Sequence, residues 1–223
     1  MKRLSKSLIL ISGILLGLIP ESVAQQTDTN SSGGSAKIYN LILPNSLRNW
    51  TFQLKDPSVD PAKVFSVKNG VVHITGSPFG YMRTKRSFSD YMLHVEWRWP
   101  GEASNSGVFI HVQLPDTIWP RCFECQLQAG NAGDFICANG TDMNERKDKT
   151  TRLIKKMAPS SEKPVGEWNT MQVACKGNTI EVWVNGVLQN KATGISEQSG
   201  HICLQSEGKD IEFRNVYVTD LPE

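Results

Sequence analysis

Tyr91-Met92-Leu93-His94-Val95-Glu96-Trp97-Arg98-Trp99 alternates apolar and polar residues. Successive side chains of a strand point to opposite faces, so residues two apart share one. Leu93, Val95 and Trp97 then form a buried side, and His94, Glu96 and Arg98 a polar one. A helix would repeat its apolar residues every three to four positions, which this segment does not do. Phe123-Glu124-Cys125-Gln126-Leu127 and Leu204-Gln205-Ser206-Glu207 follow the same rule. In each, a glutamate and a glutamine share the polar face.

Working outward, the pattern continues. Residues 64–67 and 71–75 flank Lys68-Asn69-Gly70, a hairpin signal. Residues 108–113, 171–175, 179–184 and 187–189 alternate, with Gly177-Asn178 and Asn185-Gly186 as turns between the last three. Residues 202–205 and 211–218 close the series. About ten short strands with Gly/Asn turns predict an all-β sandwich or jelly roll of two antiparallel sheets, spanning 38–223. Residues 129–167 carry few strand signals and are too long for a turn. Their basic middle (Lys147, Lys149, Arg152, Lys155 and Lys156) reads as a surface insertion that holds at most a short helix, or as a rim beside a cleft.

The first 24 residues read as a signal peptide. Lys2, Arg3 and Lys6 precede an apolar stretch, Leu8 to Ile19, and Ser22-Val23-Ala24 offers small residues for cleavage after Ala24. Residues 25–37, rich in Gln, Thr, Asn, Ser and Gly, read as a flexible tether. The expected destination is the periplasm or the exterior. The whole chain carries a formal net charge of +2. Lys2, Arg3 and Lys6 set against Glu21 account for it, so the chain from Gln25 onward is balanced. That gives no support for nucleic acid or an anionic membrane as partner.

Five cysteines leave at least one thiol unpaired within the chain. Cys125 shares a face with Phe123 and Leu127, and Cys175 with Met171 and Val173, which makes both core residues. Cys122 and Cys125 point to opposite faces of one strand. No second ligand pair accompanies them as zinc would require.

Candidate chemistry lies on the polar faces. Glu96, Glu124 and Glu207 stand among His94, Arg98, His111, Gln126 and Gln205, a dense set for an idle surface. Two carboxylates in one cleft can act as general acid and base on a sugar. Asn105, in the turn Glu102-Ala103-Ser104-Asn105-Ser106-Gly107, is placed to hold a hydroxyl. Trp119-Pro120-Arg121 precedes the Glu124 strand, and Trp119 at a cleft mouth suits stacking on a sugar. A glucanase of similar fold would want its acidic residues two to four apart on one strand, and no such run exists.

In order and spacing, several motifs resemble the 3-keto-disaccharide hydrolase domain family. They are Glu96-Trp97-Arg98, Asn105-Ser106-Gly107-Val108-Phe109, Trp119-Pro120-Arg121 leading to Glu124-Cys125-Gln126, Gly166-Glu167-Trp168-Asn169, Val184-Asn185-Gly186-Val187, Gly200-His201-Ile202-Cys203-Leu204-Gln205 and Glu212-Phe213-Arg214-Asn215-Val216. The resemblance covers about Trp50 to Leu221. It implies a concanavalin-like jelly roll and an exported bacterial enzyme acting on glycosides oxidised at C3. Two positions depart from the family pattern: His111 stands where an arginine is frequent, and Glu207 where a histidine is. The expected assignment is Glu124 as acid/base and Glu96 as its partner. Arg98, Asn105, His111, Trp119, Arg121, Gln126, Gln205 and Glu207 bind substrate. The metal requirement is open, with Ca²⁺ as the divalent cation considered. A carbohydrate-binding module of the same fold is the alternative.

Overall fold

A computed structural model describes residues 37–221. The expected signal peptide and nearly all of the expected tether lie outside these residues. The described residues form two antiparallel sheets and one turn of 3-10 helix at Pro61–Lys63.

The first sheet is built from β1 (Ile38–Asn40), β3 (Phe65–Lys68), β4 (Val71–Ile74), β7 (Tyr91–Arg98), β12 (Asn169–Lys176), β13 (Thr179–Val184), β14 (Val187–Thr193) and β16 (Ile211–Asp220). Its order is β14-β13-β12-β7-β16-β4-β3, with β1 also on β16. The second sheet is built from β2 (Trp50–Leu54), β5 (Gly80–Thr84), β6 (Phe88–Ser89), β8 (Gly107–Val112), β9 (Cys122–Gln126), β10 (Phe135–Ala138), β11 (Leu153–Ile154) and β15 (Ser199–Ser206). Its order is β11-β10-β9-β8-β15-β5-β2, with β6 also on β15.

The alternation read from the sequence decides which residues meet between the sheets. Leu93, Val95 and Trp97 of β7 and Phe213 of β16 are fully buried in one core cluster with Val108, Ile110, Phe123, Cys125, Ile202 and Leu204 from the second sheet. Burying a residue of this size contributes about 1.5–3 kcal/mol each, so this interface is what holds the sheets together. Asn69-Gly70 joins β3 to β4 and Asn185-Gly186 joins β13 to β14, all four residues at positive φ. Asparagine and glycine tolerate that region, and the resulting turn matches the strand twist.

Residues 129–167 depart from the expectation. They contain two short strands and no helix. β10 extends the second sheet beyond β9 and buries Phe135 and Cys137, and β11 pairs with β10 at the edge. Strands of two to four residues carry too little periodicity to be read alone. The five cysteines are buried free thiols. Cys125 and Cys175 lie in the main core, and Cys122 lies in a second cluster on the opposite face of the second sheet with Tyr81, Phe109 and Cys203.

Candidate active site

The outer face of the second sheet carries Glu124. Across the ladder it faces Phe109 on β8 and Ile136 on β10. The next outward positions are Gln126 on β9 and, opposite it, Gly107 on β8. A Cβ at Gly107 would collide with Glu124 Oε1. Glycine therefore leaves the space into which the glutamate folds, over the β8 backbone. Leu204 pairs with Val108, so Gln205 on β15 stands beside Gly107. Its backbone carbonyl accepts from Ser106 Oγ at 2.8 Å.

This floor is short of donors. Glu124 is 6 % exposed, and its Oε1 is buried without a hydrogen-bond partner, as are Gln205 Oε1 and Asn105 Oδ1. Burial drives the Glu124 pKa up to about 8, and the charge of Glu207 adds to the rise while Arg152 opposes it. Glu207 is half-buried. Burial raises its pKa too, against the hydrogen-bonding side chains of Asn105 and Gln205 and the charge of Arg152. Gln126 accepts from the backbone N–H of Leu127 and of Gln128, both at 2.9 Å, through Oε1. Its NH₂ end remains to donate.

A loop pinned by a partly buried ion pair forms the rim. Arg83 on β5 holds Asp116 with Nε–Oδ1 at 2.7 Å and Nη2–Oδ2 at 2.8 Å, and Tyr81 donates to the Thr117 carbonyl at 2.9 Å. The bidentate geometry fixes the direction of the loop as well as its position. Trp119, on that loop, is 48 % exposed, with its ring centroid 4.3 Å from that of Phe79. The Arg152 guanidinium lies 5.9 Å from the Trp119 ring. Arg152 immediately precedes β11, so the insertion supplies part of the rim.

Glu124, Asn105, Gln126, Gln205, Glu207 and Trp119 are thus brought to one region. Four other expected site residues are not. Glu96 and Arg98 belong to β7, in the other sheet, and project from its outer face. Glu96 accepts from Arg214 Nε at 2.6 Å and Asn215 Nδ2 at 2.8 Å, and Arg98 pairs with Glu212 at 2.6 Å. Burial works to raise the Glu96 pKa, but the hydrogen bonds from Asn215 and Arg214 outweigh it and hold the carboxyl below its ordinary range. Both guanidiniums lie over Trp168, Arg98 at 4.7 Å and Arg214 at 4.1 Å. Alternation gives the face of a strand but not the sheet to which it belongs, and two stacked sheets separate these residues from Glu124.

His111 is corrected for a different reason. Its φ of 51° makes a β-bulge, and the β15–β8 register shifts there. The bulge reverses the alternation and turns the ring into the core. There it meets Tyr91 and Phe123 edge-on, at centroid distances of 5.8 and 6.5 Å, and contacts the Glu197 carbonyl through Nδ1 at 2.7 Å. Burial lowers its pKa and keeps it neutral. Arg121 is engaged by Glu197 at 2.6 Å rather than by either cleft carboxyl.

Sequence reasoning passed over Arg152, Gly107, Phe79 and the Arg83–Asp116 anchor. Arg152 was legible only as one basic residue among five. As for a divalent cation, among the described residues no three His, Cys, Asp or Glu side chains gather as a ligand set. The two cleft carboxyls share the Arg152 charge. The floor nevertheless presents two carboxyls and the unpartnered amide oxygens of Gln205 and Asn105, the oxygen type that a hard divalent cation takes, so these are the residues that would hold one. A separate cavity of about 280 Å³, lined by residues that include Tyr39, Leu41, Asn49, Thr84 and Phe88, contains no carboxyl.

Comparisons with known proteins agree on the architecture. The chain is similar in fold to a protein from Parabacteroides distasonis provisionally described as a glycosyl hydrolase, with 21% identity and a TM-score of 0.61, over 83% of this chain and all of that one. It is also similar to carbohydrate-binding module CBM66 from Bacillus subtilis, with 9% identity and a TM-score of 0.55, over 75% of this chain and 93% of that one. A β-glucanase from Bacillus licheniformis aligns with 13% identity and a TM-score of 0.51, over 85% of this chain and all of that one. No curated protein matches. Residues 42–219, nearly the whole two-sheet body, match the family described as the 3-keto-alpha-glucoside-1,2-lyase-like domain, and the chain belongs to that family.

Proposed function

We propose that this chain is an exported carbohydrate-active enzyme that cleaves glycosides bearing a ketone at C3, with Glu124 as its acid/base. The observation that carries the reading is the setting of Glu124. It is buried on an outer sheet face, unpartnered at Oε1 and held near neutral pKa. Perturbed carboxyls of this kind cluster at functional sites. The family supports the choice of substrate, and the glycosidase and carbohydrate-binding folds among its structural relatives support a carbohydrate ligand.

In the proposed reaction, ionised Glu124 removes the C2 proton that the ketone acidifies. The C–H electron pair becomes an enolate on O3, opposite the NH₂ end of Gln126. The enolate then collapses to a C1=C2 double bond and expels the aglycone with the C1–O pair. The proton taken by Glu124 is available for return to the leaving oxygen. Addition of water across the enone completes net hydrolysis; release before that step makes the enzyme a lyase. Glu207, not Glu96, is the second carboxylate of the site.

The test is a panel of 3-keto glucosides and their unoxidised parents, assayed with wild type, Glu124→Gln and Glu96→Gln. We expect turnover of keto substrates alone. Glu124→Gln should lose about 10²-fold or more, the usual scale for a positioned acid/base. Glu96→Gln should stay within about twofold of wild type, because Glu96 lies on the other sheet. Sugar binding without turnover of any keto glycoside would instead favour a binding module.

A further inference from the structure

Trp119 and Arg152 are not accounted for by the acid/base floor. Trp119 exposes 48 % of its surface although its loop is anchored, and it packs on Phe79. Its carbonyl accepts from Thr117 Oγ1 at 2.8 Å and from Asn139 Nδ2 at 3.3 Å, so the backbone beneath the ring is held. Arg83, Arg98, Arg121 and Arg214 each have a carboxylate partner. Arg152 forms no ion pair among the described residues, yet it lies close enough to Glu124 and Glu207 to act on both charges.

A glycoside has two unlike ends. The hydroxyl-bearing ring suits the polar floor of Gln126, Gln205, Asn105 and Glu207. A flat apolar group suits Trp119 and Phe79, because ring stacking on an aromatic face needs no hydrogen bonds. Gly80 pairs with Ser206, so Phe79 and the Trp119 stacked on it adjoin Glu207 at the end of β15, and Arg152 lies 5.9 Å from the Trp119 ring on the same rim, within reach of the oxygen joining the two ends of a glycoside. Breaking C1–O leaves both electrons on that oxygen until a proton arrives, and a guanidinium at that point stabilises the charge as it develops.

We propose that Trp119, Phe79 and Arg152 form the leaving-group subsite: Trp119 stacks on a planar, aromatic aglycone and Arg152 stabilises the oxygen that departs. This rests on the elimination reading for its chemistry but not for its binding. The experiment compares methyl 3-keto-glucoside with aryl 3-keto-glucosides of graded phenol acidity, in wild type, Arg152→Gln, Arg152→Lys and Trp119→Leu. Circular dichroism establishes that each variant is folded.

In Arg152→Gln we expect kcat/KM to fall about 10²-fold for poor leaving groups and little for the most acidic phenols, with partial rescue in Arg152→Lys. Trp119→Leu should raise KM for aryl substrates about tenfold and leave the methyl substrate nearly unchanged. An equal loss on all substrates in Arg152→Gln would place Arg152 at the sugar ring and overturn its assignment. An equal loss on aryl and methyl substrates in Trp119→Leu would overturn the stacking assignment. If wild type turns over no keto glycoside, the elimination reading fails by itself. Calorimetry with phenyl and methyl glucosides then decides the subsite: a phenyl preference abolished in Trp119→Leu supports it, and its absence or persistence overturns it.

Discussion

Glu124 concentrates the chemistry of this molecule in one side chain. Its pKa near 8 has three contributions: burial, the Glu207 charge that adds to it, and the Arg152 charge that subtracts. The proposed base must be ionised, so kcat/KM should rise with pH to a midpoint near 8 and then level. Removing Arg152 as Arg152→Gln should move that midpoint to higher pH. Removing the opposing charge as Glu207→Gln should move it lower. Initial-rate profiles between pH 6 and pH 9.5 would check both signs; a profile that falls through pH 8 would make Glu124 an acid in the rate-limiting step. The residue type and its outward direction were legible in the strand alternation. The raised pKa was not, because it depends on what covers the strand.

At the scale of elements, β8 and β9 form the site because they exchange a side chain for a space. Gly107 on β8 has none, and Glu124 on β9 occupies the gap. Gly107→Ala should cost about 1–3 kcal/mol of stability, the usual scale of overpacking, since the new Cβ meets Oε1, Cδ and Cγ of the buried Glu124, and the strand preference of alanine over glycine offsets part of it. Turnover should also drop about 10–100-fold, because misplacing a reacting group by about 1 Å carries that cost. Urea titration and steady-state kinetics on the same preparation would separate the two effects. A loss of activity matched by a collapse of stability would contradict the cradle. β8 also shows why alternation fails locally. Phe109 obeys it and His111, two residues later, does not, since one bulge at positive φ intervenes. No residue type at 111 announces a bulge. Only pairing with β15 requires it.

For the whole molecule, the two outer faces differ in their electrostatics. The first sheet pairs its charges: Glu96 with Arg214, Arg98 with Glu212, and Glu181 with Lys191. The second sheet leaves Glu124 unpartnered, which makes folding stability depend on pH. The folded carboxyl keeps its proton up to about pH 8, while the unfolded one releases it near 4.5. Between those values the folded state binds more protons, so stability falls as pH rises, by at most about 1.4 kcal/mol per unit. Glu207, also raised, acts in the same direction. Glu96 acts oppositely and on the acid side, losing its contribution as pH falls through its lowered pKa. Glu124→Gln has no proton to lose at that position. Its stability advantage over wild type should therefore grow between pH 5 and pH 8, in urea melts at each pH. Parallel curves would mean that Glu124 ionises in the folded state much as it does in the unfolded chain.

The sequence by itself determined the longer alternating strands, their buried sides away from the β8 bulge, and the turns between β3 and β4 and between β13 and β14, because these follow from local rules. Period-two alternation and the φ tolerance of Asn-Gly act within a few residues. It also placed Glu124, Gln126, Gln205 and Glu207 on polar faces. Only the tertiary structure decided which polar faces coincide. Glu96 and Glu124 read identically along the chain, yet β7 pairs with β12 and β16 while β9 pairs with β8 and β10. Strand order arises from contacts between residues far apart in sequence. A carboxylate's partner, its burial and its pKa are set by that order, not by its immediate neighbours in the chain.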